Sequence, residues 1–265
     1  MIFTFEPLLW KSKIINMKKI LFLFLISFSL IQYSFAQEFS AGADIFNLYM
    51  WRGLDLGGGQ PSIQPWVKYT FGTEKHEFSV GYWSAFAIGG NVNQEVDLSL
   101  NYTYNGLLTL NITDYFFPGL NTGTKNNYFE YRSDQTGHVI EGQVMFSGTE
   151  KIPVSLLFTM NFYGNDAKKA DGALFFSKYL EAGYKAHVKG LDVVPFAGFC
   201  LDKADTDKGE VTYYQYAKPG LINLGLKLSK SVEITDKFSL PIACAVVTNP
   251  GLNKIHIVFG ISLGI

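Results

Sequence analysis

The chain has 265 residues, 22 basic and 23 acidic, with 48% hydrophobic and 16% aromatic residues but only 17% charged ones. About 25% charged is usual for a soluble domain, and nothing here makes the basic stripe of a nucleic-acid binder. An aromatic, charge-poor chain with 26 glycines suits an exported membrane barrel better than a soluble enzyme.

The front end predicts export. Lys18 and Lys19 precede an uncharged apolar run from Ile20 to Ala36, with small residues at Ser34 and Ala36. That is the layout of a secretory signal peptide over residues 1–36, cut before Gln37. Met17 just ahead of the lysines is read as the true start, with 1–16 an upstream addition. Removing 1–36 takes away Lys11, Lys13, Lys18, Lys19 and Glu6, leaving 18 basic and 22 acidic residues and a net charge of −4.

From residue 37 onward the dominant period is two. In "EVDLSLNYTYN", Val96, Leu98, Leu100, Tyr102 and Tyr104 share one face, opposite Glu95, Asp97, Ser99, Asn101 and Thr103. A strand separates those sets; a helix scatters them. Twelve such segments are expected, at 39–52, 61–72, 77–88, 94–105, 107–117, 137–147, 152–163, 174–188, 191–201, 213–228, 237–248 and 254–265. The ninth has both faces apolar, so its register stays open. Turns alternate short and long, with Asn105 and Gly106 forming a favoured two-residue hairpin. One face is almost purely apolar in strand after strand, which is what lipid demands of a closed sheet. The predicted fold is therefore all-β: a transmembrane, antiparallel, up-and-down β-barrel of about 12 strands spanning 37–265.

The first hairpin, "ADIFNLYMWRGLDLGGGQPSIQPWVKYTFG" at 43–72, resembles the opening of the TorF-like porin family of Gram-negative outer-membrane barrels. The shared marks are the alanine-aspartate start, "WRG" at 51–53, the glycine-rich tip and the "PSIQP" return. "YFEYRSDQTGHVIEGQV" at 128–144 and the closing strand add weaker likeness. The resemblance implies an outer-membrane porin fold and location, and a Bacteroidetes-type member. The three glycines 57–59 do not read as a phosphate loop, because two prolines and a strand follow them where a helix would be needed. They read as a turn at the outer rim.

Function in a barrel rests on the inward residues. Asp44, Arg52, Gln64, Lys68, Glu95, Asp97, Glu141, Glu181, Lys185 and Lys227 fall on the polar face and are the pore-lining candidates. Tyr49, Trp51, Tyr69, Tyr82, Tyr102 and Tyr104 lie near strand ends, where interfacial aromatics sit. About twelve strands fall between barrels filled by side chains and barrels with aqueous channels. The expected function is passive passage of small polar solutes through a narrow, mixed-charge lumen, with a lumen closed by ion pairs, or a barrel whose loops bind a partner, as the alternatives. The longest loop, 118–136, is read either as an inward constriction or as a surface loop. Expected partners are outer-membrane lipid, the barrel assembly machinery and the solutes, with no nucleic acid.

A lipid-modifying enzyme needs a serine and a histidine that converge near the rim. The one serine on the apolar face, Ser84, is remote from His138, so the sequence is read as a non-enzyme with no catalytic residues. The four histidines are isolated and the carboxylates Asp202, Asp205 and Asp207 lack a calcium-loop pattern, so neither metal nor cofactor is expected. Cys200 and Cys244 are expected on non-neighbouring strands, too far apart to pair.

Overall fold

The computed structural model describes residues 36–89, 94–118 and 127–265. The signal-peptide reading lies almost wholly outside them, and the first strand begins at Ala36. Twelve strands close into one antiparallel barrel. They are β1 (Ala36–Phe46), β2 (Ser62–Gly72), β3 (His76–Ala87), β4 (Gln94–Tyr104), β5 (Leu108–Phe116), β6 (His138–Phe146), β7 (Val154–Gly164), β8 (Lys178–Tyr184, resumed at Ala186–Val188), β9 (Leu191–Cys200), β10 (Gly220–Thr235), β11 (Phe238–Asn249) and β12 (Lys254–Gly264). Each pairs with its chain neighbours. The ring closes where β1 meets β12, with Gly42 opposite Gly264, so the barrel has no unpaired edge among the described residues.

The alternation becomes two surfaces. Outside, Leu100 and Ile112 on neighbouring strands, and Ile255, Ile257 and Phe259 on β12, stand half or more exposed. Inside, Glu95, Asp97, Thr113, Glu141 and Thr159 are buried. A soluble domain hides such apolar surface; a wall turned inside out fits a lipid surround, in which closure satisfies every backbone group. β9 settles as Asp192, Val194, Phe196, Gly198 and Cys200 inward, since Glu181 pairs with Gly198 and Val194 with Lys227. Cys200 is buried and Cys244 exposed, both free, with β10 between their strands.

The ends of β1 and β10 and the β9–β10 register differ from the sequence reading, each for a local reason. β1 ends at Phe46 rather than running to 52, because the Asn47 side chain takes over the ladder. Its Nδ2 donates to the Ile257 carbonyl at 3.0 Å, and its Oδ1 accepts from the Phe259 N–H at 2.8 Å. The chain then leaves the wall and turns into the barrel. β10 starts at Gly220 rather than 213 and runs on to Thr235, through the region expected to be a turn. Lys230 interrupts the apolar face of "LSKSVEIT" in the sequence, yet it faces outward between Leu228 and Val232. A long stem lets its ammonium reach the interface. Finally, the β9–β10 register shifts between Gly198 and Phe199. This bulge turns Ile222, expected on the apolar outer face, fully into the interior.

At the rim with short turns, an aromatic ladder runs across β2, β3 and β4. Tyr69 stacks on Phe71 (5.8 Å), Phe71 on Phe78 (5.7 Å), and Phe78 meets Tyr102 at 5.0 Å. His76 bonds the Tyr102 hydroxyl at 2.8 Å and packs on Tyr104. Such a belt sits where lipid meets water.

Candidate functional site: a plug inside the lumen

The segment 47–61 forms a miniature hairpin inside the barrel, pairing Met50 with Asp55 and Trp51 with Leu54. Its two-residue turn is Arg52 and Gly53, both at positive φ (48° and 80°). That combination is the hairpin turn best matched to strand twist, and it favours Gly at both positions. Gly53 fits because a Cβ there would lie 2.1 Å from the Ile222 carbonyl oxygen. Arginine in this region is uncommon and strained by about 1–2 kcal/mol, so the side chain must be held.

Glu141 on β6 holds it. Two parallel hydrogen bonds, 2.5 and 2.8 Å, join the Arg52 guanidinium to the Glu141 carboxylate, and a third reaches the Tyr214 hydroxyl at 3.0 Å. Glu141 is fully buried and also accepts from Tyr115 (2.9 Å) and Gln143 (2.8 Å). The guanidinium lies 4.3 Å from the Trp51 ring centre and 5.0 Å from that of Tyr179. Bidentate arginine–carboxylate pairs are the strong, geometry-selective kind. Trp51 in turn stacks on Tyr214 (5.7 Å, 14°) and meets Tyr115 and Tyr213 edge-on. Leu54, Tyr179, Cys200, Tyr214 and Ile222 make a small apolar core around this hairpin.

Tyr49 seals the opposite side. Its hydroxyl donates to Glu95 at 2.7 Å and its ring packs 5.4 Å from Trp83. Asp97, two residues along β4, is buried beside Glu95, and its Oδ1 has no hydrogen-bond partner. Tyr49 and Trp51 were expected at the membrane interface. The structure places both in the lumen, because the wall strand that was to carry them ends at Asn47. Tyr82 is exposed on the outer wall, and Tyr69, Tyr102 and Tyr104 lie in or beside the rim belt.

Of the inward candidates, the plug gathers Arg52, Glu141, Glu95 and Asp97. Glu181 and Lys227 line a cavity of 440 Å³ beneath it, between β7 and β10. Gln64 is buried against the Ser62 hydroxyl (2.9 Å), and Asp44 pairs with it across β1 and β2. Lys68 lies further along β2, opposite Ser40 and Gly81. Lys185 sits in the break of β8 and donates to the Ser147 carbonyl at 2.8 Å, tying a rim turn rather than joining the plug.

Tyr115, Tyr179, Tyr213, Tyr214 and Asn223 were not singled out from the sequence. Tyr115 has the parity of the inward face, and "TYYQY" at 212–216 is unusually aromatic for a loop; both are usable signals. The glycines 57–59 make a turn in which the Gly57 and Gly59 N–H groups donate to the Asp55 carboxylate at 3.0 and 2.7 Å. The anion they cradle is the protein's own.

The longest loop does not constrict the lumen through its described part. Residues 127–137 lie on the outer wall, where His138 contacts Asp114 Oδ1 (2.7 Å) and the Tyr128 carbonyl (2.7 Å). Tyr131 donates to Asp114 at 2.8 Å, and Tyr163 donates to the Tyr131 carbonyl.

No protein-family model matches the chain, and a search of curated proteins finds no match. Among solved structures, an outer-membrane channel from Pseudomonas putida F1 is similar at 10% identity and a TM-score of 0.31, over 87% of this chain and 94% of that one. LpxR from Salmonella typhimurium is similar at 11% and 0.37, over 85% and 99%. These likenesses are to outer-membrane barrels in general and do not carry the narrower TorF-like resemblance. The expectation that the chain is not an enzyme is not retained. The histidine weighed against Ser84 has a different partner, since His138 is bonded to the Asp114 carboxylate on the exterior rim.

Proposed function

We propose that this chain is an outer-membrane barrel that passes small polar solutes through its lumen, with residues 47–61 as the gate. One observation carries the reading. The lumen is closed around a segment that has left the wall, which packs against Tyr213 and Tyr214 of the loop before β10 and against inward wall side chains such as Tyr115 and Glu141. Its main polar tie is a single arginine–glutamate pair, and a cavity of 440 Å³ that holds Glu181, Asn223 and Lys227 beside an apolar wall lies directly beneath it. A barrel that served only as a support would be expected to fill its interior from the strands, as eight-stranded barrels do. Displacing one hairpin here joins the cavity to the long-loop side. The signal peptide directs export, the assembly machinery inserts the chain, and the rim with short turns faces the periplasm.

Conductance of the refolded barrel in planar bilayers tests this. The wild type is expected to open rarely, and variants that release the hairpin are expected to open often. Folded barrels that stay silent with the hairpin released would leave a closed, supporting lumen as the function.

A further inference from the structure

Beneath the plug, Glu181 on β8 and Lys227 on β10 line the same cavity without pairing. Glu181 accepts from neutral donors only, the Tyr179 hydroxyl and Asn223 Nδ2 (2.9 Å), and Lys227 has no partner among the described residues. Their backbone positions explain why they do not meet. Asn223 and Glu181 both align with Gly198, whereas Lys227 is four residues further along β10. That is roughly 13 Å of strand, more than the two side chains comfortably close. Lys227 is exposed and Glu181 half-buried, so both charged heads are open to a solute that enters the cavity.

We infer that this cavity binds a zwitterionic solute of amino-acid size, with its carboxylate on Lys227 and its ammonium on Glu181. Further features fit that class. Asn223, which holds Glu181 and whose Oδ1 has no hydrogen-bond partner, also lines the cavity. Leu157, Val194 and Phe196 form an apolar wall for a hydrophobic side chain, and Trp51 of the plug roofs the space. The volume falls in the range of small-ligand sites, about 300–1,000 Å³. The inference rests on the lumen being a solute route, since the ligand enters from the water-filled mouth.

Titration calorimetry of the refolded barrel in detergent micelles tests it, with leucine, leucinamide and 4-methylpentanoate as probes. Leucine is expected to bind at least tenfold tighter than leucinamide, which lacks the carboxylate, and than 4-methylpentanoate, which lacks the ammonium. Lys227→Met should remove the preference over leucinamide, and Glu181→Gln the preference over 4-methylpentanoate. Lys230→Gln on the outer wall should change neither. Equal affinity for all three probes, or no leucine binding by the folded wild type, would overturn the inference whether or not the variants fold. Channel activity without leucine binding removes this site and leaves passage standing. Leucine binding by a barrel that never conducts does the reverse.

Discussion

Removing the Arg52 side chain should open the barrel. In Arg52→Ala, Glu141 stays fully buried and keeps only Tyr115 and Gln143 as close donors, both neutral. Breaking one partner of a buried ion pair costs about 3–5 kcal/mol; the two remaining donors put this case near the lower end. About 3 kcal/mol is roughly a hundredfold shift in the open-to-closed ratio, at 1.4 kcal/mol per factor of ten. The penalty comes from an orphaned charge, so removing both charges should relieve it. Arg52→Leu combined with Glu141→Leu is expected to regain most of the closure, because apolar replacement of a buried pair is often neutral. Open probability in planar bilayers and protease cleavage within 47–61 report the two states. If Arg52→Ala conducts and resists protease like the wild type, the latch does not hold the plug. A double variant as open as the single would refute the charge argument specifically.

Gly53→Ala adds a Cβ that would lie 2.1 Å from the Ile222 carbonyl oxygen, at a φ of 80°. It should release the hairpin while leaving the barrel's heat-modifiable gel mobility intact; unchanged conductance would count against the gate. Leu100→Arg places a charge midway along β4 on the outer face, and about 2–4 kcal/mol of folding free energy in bilayers should be lost if that face meets lipid. In the long loop, Arg132 bonds the Glu130 side chain and holds its carboxyl down to about 2, from an ordinary 4.5. A depressed carboxylate favours the folded loop above its ordinary value, and that contribution fades as pH falls through about 2. Exposure keeps it small. Arg132→Gln should return the Glu130 titration seen by carbon NMR to the ordinary range.

The wall was legible in the local pattern of residues. Period-two alternation is a local property of each strand, and it sets which side chains meet lipid and which meet the lumen, so Glu95, Asp97, Glu141 and Glu181 were legible as inward residues. Closure followed from the same pattern, since an apolar outer face with open edges has no stable place in lipid. Tertiary structure decided what fills the barrel. Tyr49 and Trp51 continue the alternation of β1, and nothing local shows that Asn47 will bond β12, some 210 residues away, and end the strand. The partners of Arg52 come from β6 and from the loop before β10. Ile222 turned inward because of a bulge that only the pairing with β9 creates. The plug is thus a set of contacts between segments far apart in the chain. Periodicity within any one strand carries no record of them, because each strand's pattern is the same whether its lumen is empty or filled.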